Sequence, residues 1–94
     1  MAQQLPEGIP TGLFIDGQWV EAENGAQLDV LNPATGQVLT RVADASPADG
    51  RRALEAAVAA QEEFGALPAK RRHEILVDAF NLMHERIDEL ALVM

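Results

Sequence analysis

Val42-Ala43-Asp44-Ala45-Ser46-Pro47-Ala48-Asp49 is the stretch at which this chain changes period. Before it, apolar residues alternate in twos between tight turns. After it, they recur every three to four residues. Ser46 reads as a helix N-cap, because its hydroxyl can accept from an amide of the first turn. Pro47 suits the first helical position, where a missing N–H loses nothing. Asp49, three residues after the cap, puts negative charge at the positive end of the helix dipole. The passage predicts strands up to about residue 43 and helices from residue 47.

Working back from it, Gln37-Val38-Leu39-Thr40-Arg41-Val42-Ala43 reads as a strand, with Val38, Thr40 and Val42 alternating against Leu39 and Arg41. Asn32-Pro33-Ala34-Thr35-Gly36 is a turn, its corner set by Pro and Gly. Leu28-Asp29-Val30-Leu31 is a short strand, and residues 21–27 form a polar turn centred on Asn24-Gly25. Leu13-Phe14-Ile15-Asp16-Gly17-Gln18-Trp19-Val20 carries Asp-Gly between two apolar runs. That is a hairpin signal, since a type I′ turn needs positive φ at both central residues. It sets Phe14 opposite Trp19, packed together as core, with Leu13, Ile15 and Val20 on the other face. Residues 1–12, with Pro6, Gly8, Pro10 and Gly12, read as an extended arm.

Working forward, the first helix is expected to reach about Phe64, closed by Gly65. Ala53, Leu54, Ala57, Val58, Gln61 and Phe64 share one stripe. Pro68 opens a second helix expected over residues 68–94. Its apolar face is Ile75, Leu76, Ala79, Phe80, Met83, Ile87, Leu90, Ala91 and Met94. That face is too long and wide for the first helix to cover, so it calls for another surface. The closing residues, Arg86-Ile87-Asp88-Glu89-Leu90-Ala91-Leu92-Val93-Met94, hold no helix stop signal. The expectation is the front part of something longer.

Composition narrows the possibilities. Hydrophobic residues make up 48% of 94, but many are alanine, with three Phe, one Trp and no Tyr, so a stand-alone core would be thin. With no cysteine there is no disulfide, no Cys-based metal site and no thiol nucleophile. A net charge of −8 argues against nonspecific nucleic-acid binding. The start lacks the basic and apolar regions of a secretory signal, and no apolar run approaches the ~18 residues of a membrane span. The expected compartment is the cytoplasm.

Four ordered segments carry a resemblance. Residues 13–20, Asn32-Pro33-Ala34-Thr35-Gly36, residues 42–49 and Arg72-His73-Glu74-Ile75-Leu76 together resemble the opening of an aldehyde dehydrogenase. The likeness is nearest to the bacterial succinate-semialdehyde dehydrogenase group, through Thr11-Gly12-Leu13-Phe14-Ile15, Ala56-Ala57-Val58-Ala59-Ala60-Gln61 and residues 68–94. Two positions depart from it: Phe64-Gly65 stands where relatives commonly carry Trp, and Leu67 where they often place Ser or Thr before the proline. The resemblance implies an α/β parent, with residues 13–94 the incomplete N-terminal part of its NAD(P)-binding domain. It implies oxidation of a small aldehyde to the acid by NAD or NADP, in a homo-oligomer without nucleic-acid or membrane partners. A cysteine thiolate, a glutamate and an asparagine carry that reaction in relatives, all downstream of this segment. No catalytic or cofactor-binding residue is therefore assigned here, and the 94 residues alone are expected to be inactive and to bind no cofactor. Neither Asn32 nor Asn81 matches the oxyanion asparagine, and no G-x-G-x-x-G loop occurs.

One metal site carries over from the resemblance: the backbone carbonyls of Val30 and Leu31 match positions that hold an alkali cation in some relatives. Other polar residues read as surface. His73 and His84 stand about 16 Å apart along a helix and cannot chelate one ion. His84 and Asp88 supply two ligands without a third. Lys70-Arg71-Arg72 is a phosphate candidate, but more naturally pairs with acids such as Glu74, and Arg72 reads as structural. The adjacent pairs Glu62-Glu63 and Asp88-Glu89 point different ways and make no acid–base dyad. The alternative to the dehydrogenase reading is a small non-enzymatic interaction module that docks through its exposed apolar helix face.

Overall fold

A computed structural model describes residues 5–94. Four strands come first: β1 Leu13–Ile15, β2 Gln18–Val20, β3 Gln27–Leu31 and β4 Val38–Ala43. Three helices follow: α1 Pro47–Ala66, α2 Ala69–Glu85 and α3 Ile87–Val93. The strands form two separate antiparallel pairs, β1–β2 and β3–β4. Mixed α/β architecture with hairpins before helices is as the sequence predicts. The first four residues of the predicted arm lie outside the described residues. Residues 5–12 join no helix or strand.

The β1–β2 turn has the predicted chemistry. Asp16 and Gly17 both take positive φ, 52° and 76°, as a type I′ turn demands. Phe14 pairs with Trp19 in register, their ring centroids 4.9 Å apart and tilted 45°. The pair is not core, however: Phe14 is 61% and Trp19 57% exposed. Ile15 and Val20 turn the other way, lining a cleft with Arg52 and Ala56 of α1. Two-residue alternation leaves the aromatic face with nothing above it.

In the second hairpin, Asn32 Oδ1 accepts from the Ala34 amide at 2.9 Å, and Gly36, at φ 73°, donates to the Asn32 carbonyl at 2.7 Å. β3 pairs Val30 with Thr40 but Leu31 with Val38, so the register slips and Leu39 is bulged. The simple alternation predicted for β4 therefore fails at its start: Leu39 and Thr40 are both half-buried and Val38 is exposed. The two hairpins are tied where Ala43 donates to the Thr11 carbonyl at 2.9 Å.

The helix boundaries need three corrections. α1 does not close at Gly65 but runs through it to Ala66. The stop is set by Pro68, whose ring excludes Leu67 from helical geometry and holds it extended at φ −63°, ψ 145°. Pro68 then stands at the cap of α2, without a side-chain cap, rather than inside it. The predicted single helix over 68–94 is broken at Arg86 (φ −109°, ψ 22°). No Pro or Gly causes this. Arg86 binds Glu89 through two hydrogen bonds, 2.7 and 3.2 Å, and Asp88 and Glu89 place acid in the first turn of α3. That charge pattern favours a fresh helix start.

Candidate functional site

The most completely built polar cluster joins the hairpins to α1. Asp49, 1% exposed, is buried at the third position of the helix. Its Oδ2 accepts from the Ser46 amide at 2.9 Å, while the Ser46 hydroxyl accepts from the Asp49 amide at 3.2 Å. This is a reciprocal capping box. Both carboxylate oxygens also accept from the Glu23 amide, at 3.1 and 3.2 Å, and Arg52 closes an ion pair from the next turn. One side chain thus fixes the start of α1 against the loop after β2. The Ser46 amide and the Arg52 guanidinium hold the Asp49 carboxyl far below the usual carboxylate range, against the opposing effect of burial. Sequence reading found Asp49 only as a first-turn charge. The Ser-x-x-acid spacing signalled the box, but the Glu23 contact spans 26 residues and has no local signal.

The remaining predicted residues scatter. Val30 and Leu31 end β3, where the pairing slips between them. Among the described residues, no group of three or more His, Asp or Glu side chains is placed to hold a metal. His84 does not turn toward Asp88: its ring packs on Phe80 at 4.3 Å, with Nδ1 3.3 Å from the Phe80 carbonyl, and the break at Arg86 lies between His84 and Asp88. Arg71 pairs with Glu74 at 3.3 Å on the surface. Arg72 is half-buried, and its Nε is buried without a partner.

These residues do not fit a nicotinamide cofactor. Among the described residues, the junction from strand to helix is β4 to α1, through Asp44-Ala45-Ser46, and carries no glycine. The positive-φ glycines, 8, 17, 25 and 36, lie in turns elsewhere. The first turn of α1 is already filled by the Asp49 carboxylate, which would repel a diphosphate. No helix among the described residues is long and apolar enough to cross a membrane.

The apolar helix faces stand open. Leu54 and Val58 of α1 line an uncovered groove with Ala57 and Gln61. Leu76, Phe80, Met83 and Ile87 are all exposed on α2 and α3.

The sequence profile of the aldehyde dehydrogenase family matches residues 19–94. The chain belongs to the aldehyde dehydrogenase family. An NADP-dependent enzyme from E. coli is 42% identical, with a TM-score of 0.83 over 86% of this chain and 17% of that one. A succinate-semialdehyde dehydrogenase from Burkholderia pseudomallei is 39% identical, with a TM-score of 0.81 over 84% of this chain and 16% of that one. An aldehyde dehydrogenase from Brucella melitensis biovar abortus 2308 is 31% identical, with a TM-score of 0.88 over 99% of this chain and 19% of that one. The chain thus spans less than a fifth of each of these three structures. The family resemblance carried by the four ordered segments is upheld.

Proposed function

We propose that this chain forms the opening part of the NAD(P)-binding domain of an oxidoreductase that oxidises succinate semialdehyde to the carboxylic acid. The observation that carries the reading is the family match over residues 19–94. The 39% identity to a succinate-semialdehyde dehydrogenase supports the substrate. The NADP-dependent E. coli relative supports a nicotinamide cofactor, which accepts the hydride when bound. The cofactor's cradle, the thiolate, the water-activating glutamate and the oxyanion donors belong to other parts of the subunit. On this reading the subunit acts in a cytoplasmic homo-oligomer, without nucleic-acid or membrane partners. The Val30 and Leu31 carbonyls contribute to a cation shell completed elsewhere, since two carbonyls cannot satisfy a hard cation.

The test is a hybrid enzyme in which this chain replaces the matching segment of the Burkholderia pseudomallei dehydrogenase. Formation of NADH or NADPH at 340 nm is followed with succinate semialdehyde and with short alkyl aldehydes. Aldehyde oxidation at a rate near that of the unaltered Burkholderia enzyme supports the place of this chain in such a subunit, and a folded hybrid that oxidises no aldehyde overturns it. The 94-residue chain alone is expected to reduce neither cofactor.

A further inference from the structure

We propose that Asn24 is a self-modification site, where the Gly25 amide nitrogen closes on the Asn24 side chain and the residue ends as aspartate or isoaspartate. The reaction needs only water, and it does not depend on the functional reading.

The chain has three asparagines, 24, 32 and 81. The nucleophile is the backbone nitrogen of the following residue, which must be free to approach the side-chain carbon. Asn32 precedes Pro33, whose nitrogen carries no hydrogen. Asn81 lies inside α2, where the helical hydrogen-bond ladder fixes the Leu82 amide. Asn24 alone precedes a glycine. Without a Cβ, Gly25 offers its nitrogen unhindered, and it already adopts a positive φ of 70°. Asn24 and Gly25 are both exposed, and nothing lies within 4 Å of where a Gly25 Cβ would stand. Water and hydroxide therefore reach this peptide.

The Gly25 N–H gives its proton to hydroxide, and the nitrogen forms a bond to Asn24 Cγ. The Cγ–Nδ2 bond breaks and ammonia leaves, closing a five-membered succinimide. Water then opens the ring. Attack at Cγ breaks the new bond and gives aspartate. Attack at the main-chain carbonyl carbon breaks the original peptide bond and gives isoaspartate, with the chain running through Cγ. Nothing is oxidised or reduced.

The fold sets the rate. Gly25 N–H donates to the Ala22 carbonyl at 2.8 Å, and Asn24 Oδ1 accepts from the Ala26 amide at 3.0 Å. Both bonds hold the reacting atoms in an Asx turn rather than in ring-closing geometry. The turn is anchored beside it, where the Glu23 amide donates to both Asp49 oxygens at 3.1 and 3.2 Å. The ring closes only when this turn opens locally, so Asp49 restrains the reaction from across the fold. Isoaspartate adds one carbon to the main chain inside the turn, so the original pairing does not re-form.

The test incubates the 94-residue chain at pH 8, in buffer and in guanidinium chloride. Peptide mass spectrometry follows each asparagine, and isoaspartyl methyltransferase labelling counts the isoaspartate. In guanidinium chloride Asn24 should convert before Asn32 and Asn81, to both products. In buffer it should convert roughly tenfold more slowly, the effect of two exposed hydrogen bonds. Asp49→Ala that keeps its helical circular dichroism should recover most of that lag. Where it loses that signal, the comparison of the two solvents decides. Arg41→Ala, at a surface pair in the other hairpin, is the control and should leave the rate unchanged. Asn24→Gln should stop the reaction at this position, since its ring would need one more carbon. First conversion at Asn32 or Asn81, or conversion to aspartate alone, overturns the proposal. So does a rate in buffer equal to that in guanidinium chloride, or a folded Asp49→Ala chain that converts no faster than its parent.

Discussion

At the scale of single residues, Asp49 decides most. Its acceptors serve the amides of Ser46 and Glu23 as well as Arg52, so ionisation and tertiary contact are linked. Because its folded pKa lies below that of an unfolded aspartate, about 3.9, the tether contributes fully above pH 4. It weakens as pH falls further and is lost only in strong acid, when the folded carboxyl protonates. The Asp49 carboxyl carbon followed by NMR should therefore stay flat from pH 7 to about 4; a transition of that carbon centred near pH 4 would contradict this. Ser46→Ala removes one half of the box and should cost about 1 kcal/mol, read as early loss of α1 amide protection. Gly12 is held by a different constraint. A Cβ there would sit 2.7 Å from the Val20 carbonyl oxygen, a backbone atom that cannot swing aside. Gly12→Ala should cost about 1–3 kcal/mol and weaken the Phe14–Trp19 pairing, seen as loss of cross-strand NOEs in the first hairpin.

At the scale of elements, boundaries come from local sterics and charge. Leu67 is extended because Pro68 follows it. Pro68→Ala lifts that restriction, and we expect α1 and α2 to fuse through Leu67. Far-UV ellipticity should rise and the Leu67 Cα shift should become helical; an unchanged Leu67 shift would mean that tertiary contacts hold the bend. The break at Arg86 has no comparable steric cause: its exposed i,i+3 pair with Glu89 raises the arginine's affinity for its proton and lowers the glutamate's, but such a pair suits an unbroken helix equally well. Pairs of that kind contribute about 1 kcal/mol or less. The predicted unbroken second helix thus fails at Arg86 with neither proline nor glycine there to break it.

At the scale of the whole molecule, the packing is open. The chain exposes 7853 Å², where a compact protein of its mass exposes about 5,300 Å². Its radius of gyration is 16.8 Å, against about 12 Å for a compact domain of this length. Ala22, 5% exposed, is the one buried hydrophobic residue among those described. A chain with so little buried apolar area should show helical circular dichroism but a broad melt of low cooperativity, with association that grows with concentration. A sharp, concentration-independent melt would instead favour the autonomous interaction module.

What the sequence determined by itself is local. Asp16-Gly17, Asn32–Gly36 and Ser46-Pro47-Ala48-Asp49 each specify a backbone geometry within a few residues, because φ preferences and side-chain-to-amide hydrogen bonds act over that range. The hairpins, the start of α1 and the family likeness were legible for that reason. The apolar stripe of α2 was legible too, but not the Arg72 nitrogen stranded at its head. Only the tertiary structure decided that Asp49 reaches the Glu23 amide, that Phe14 and Trp19 face outward, and that the β3–β4 register slips at Leu39. Those outcomes depend on which surfaces meet across tens of residues. Burial and pairing register are set by such meetings, not by the propensity of any one segment.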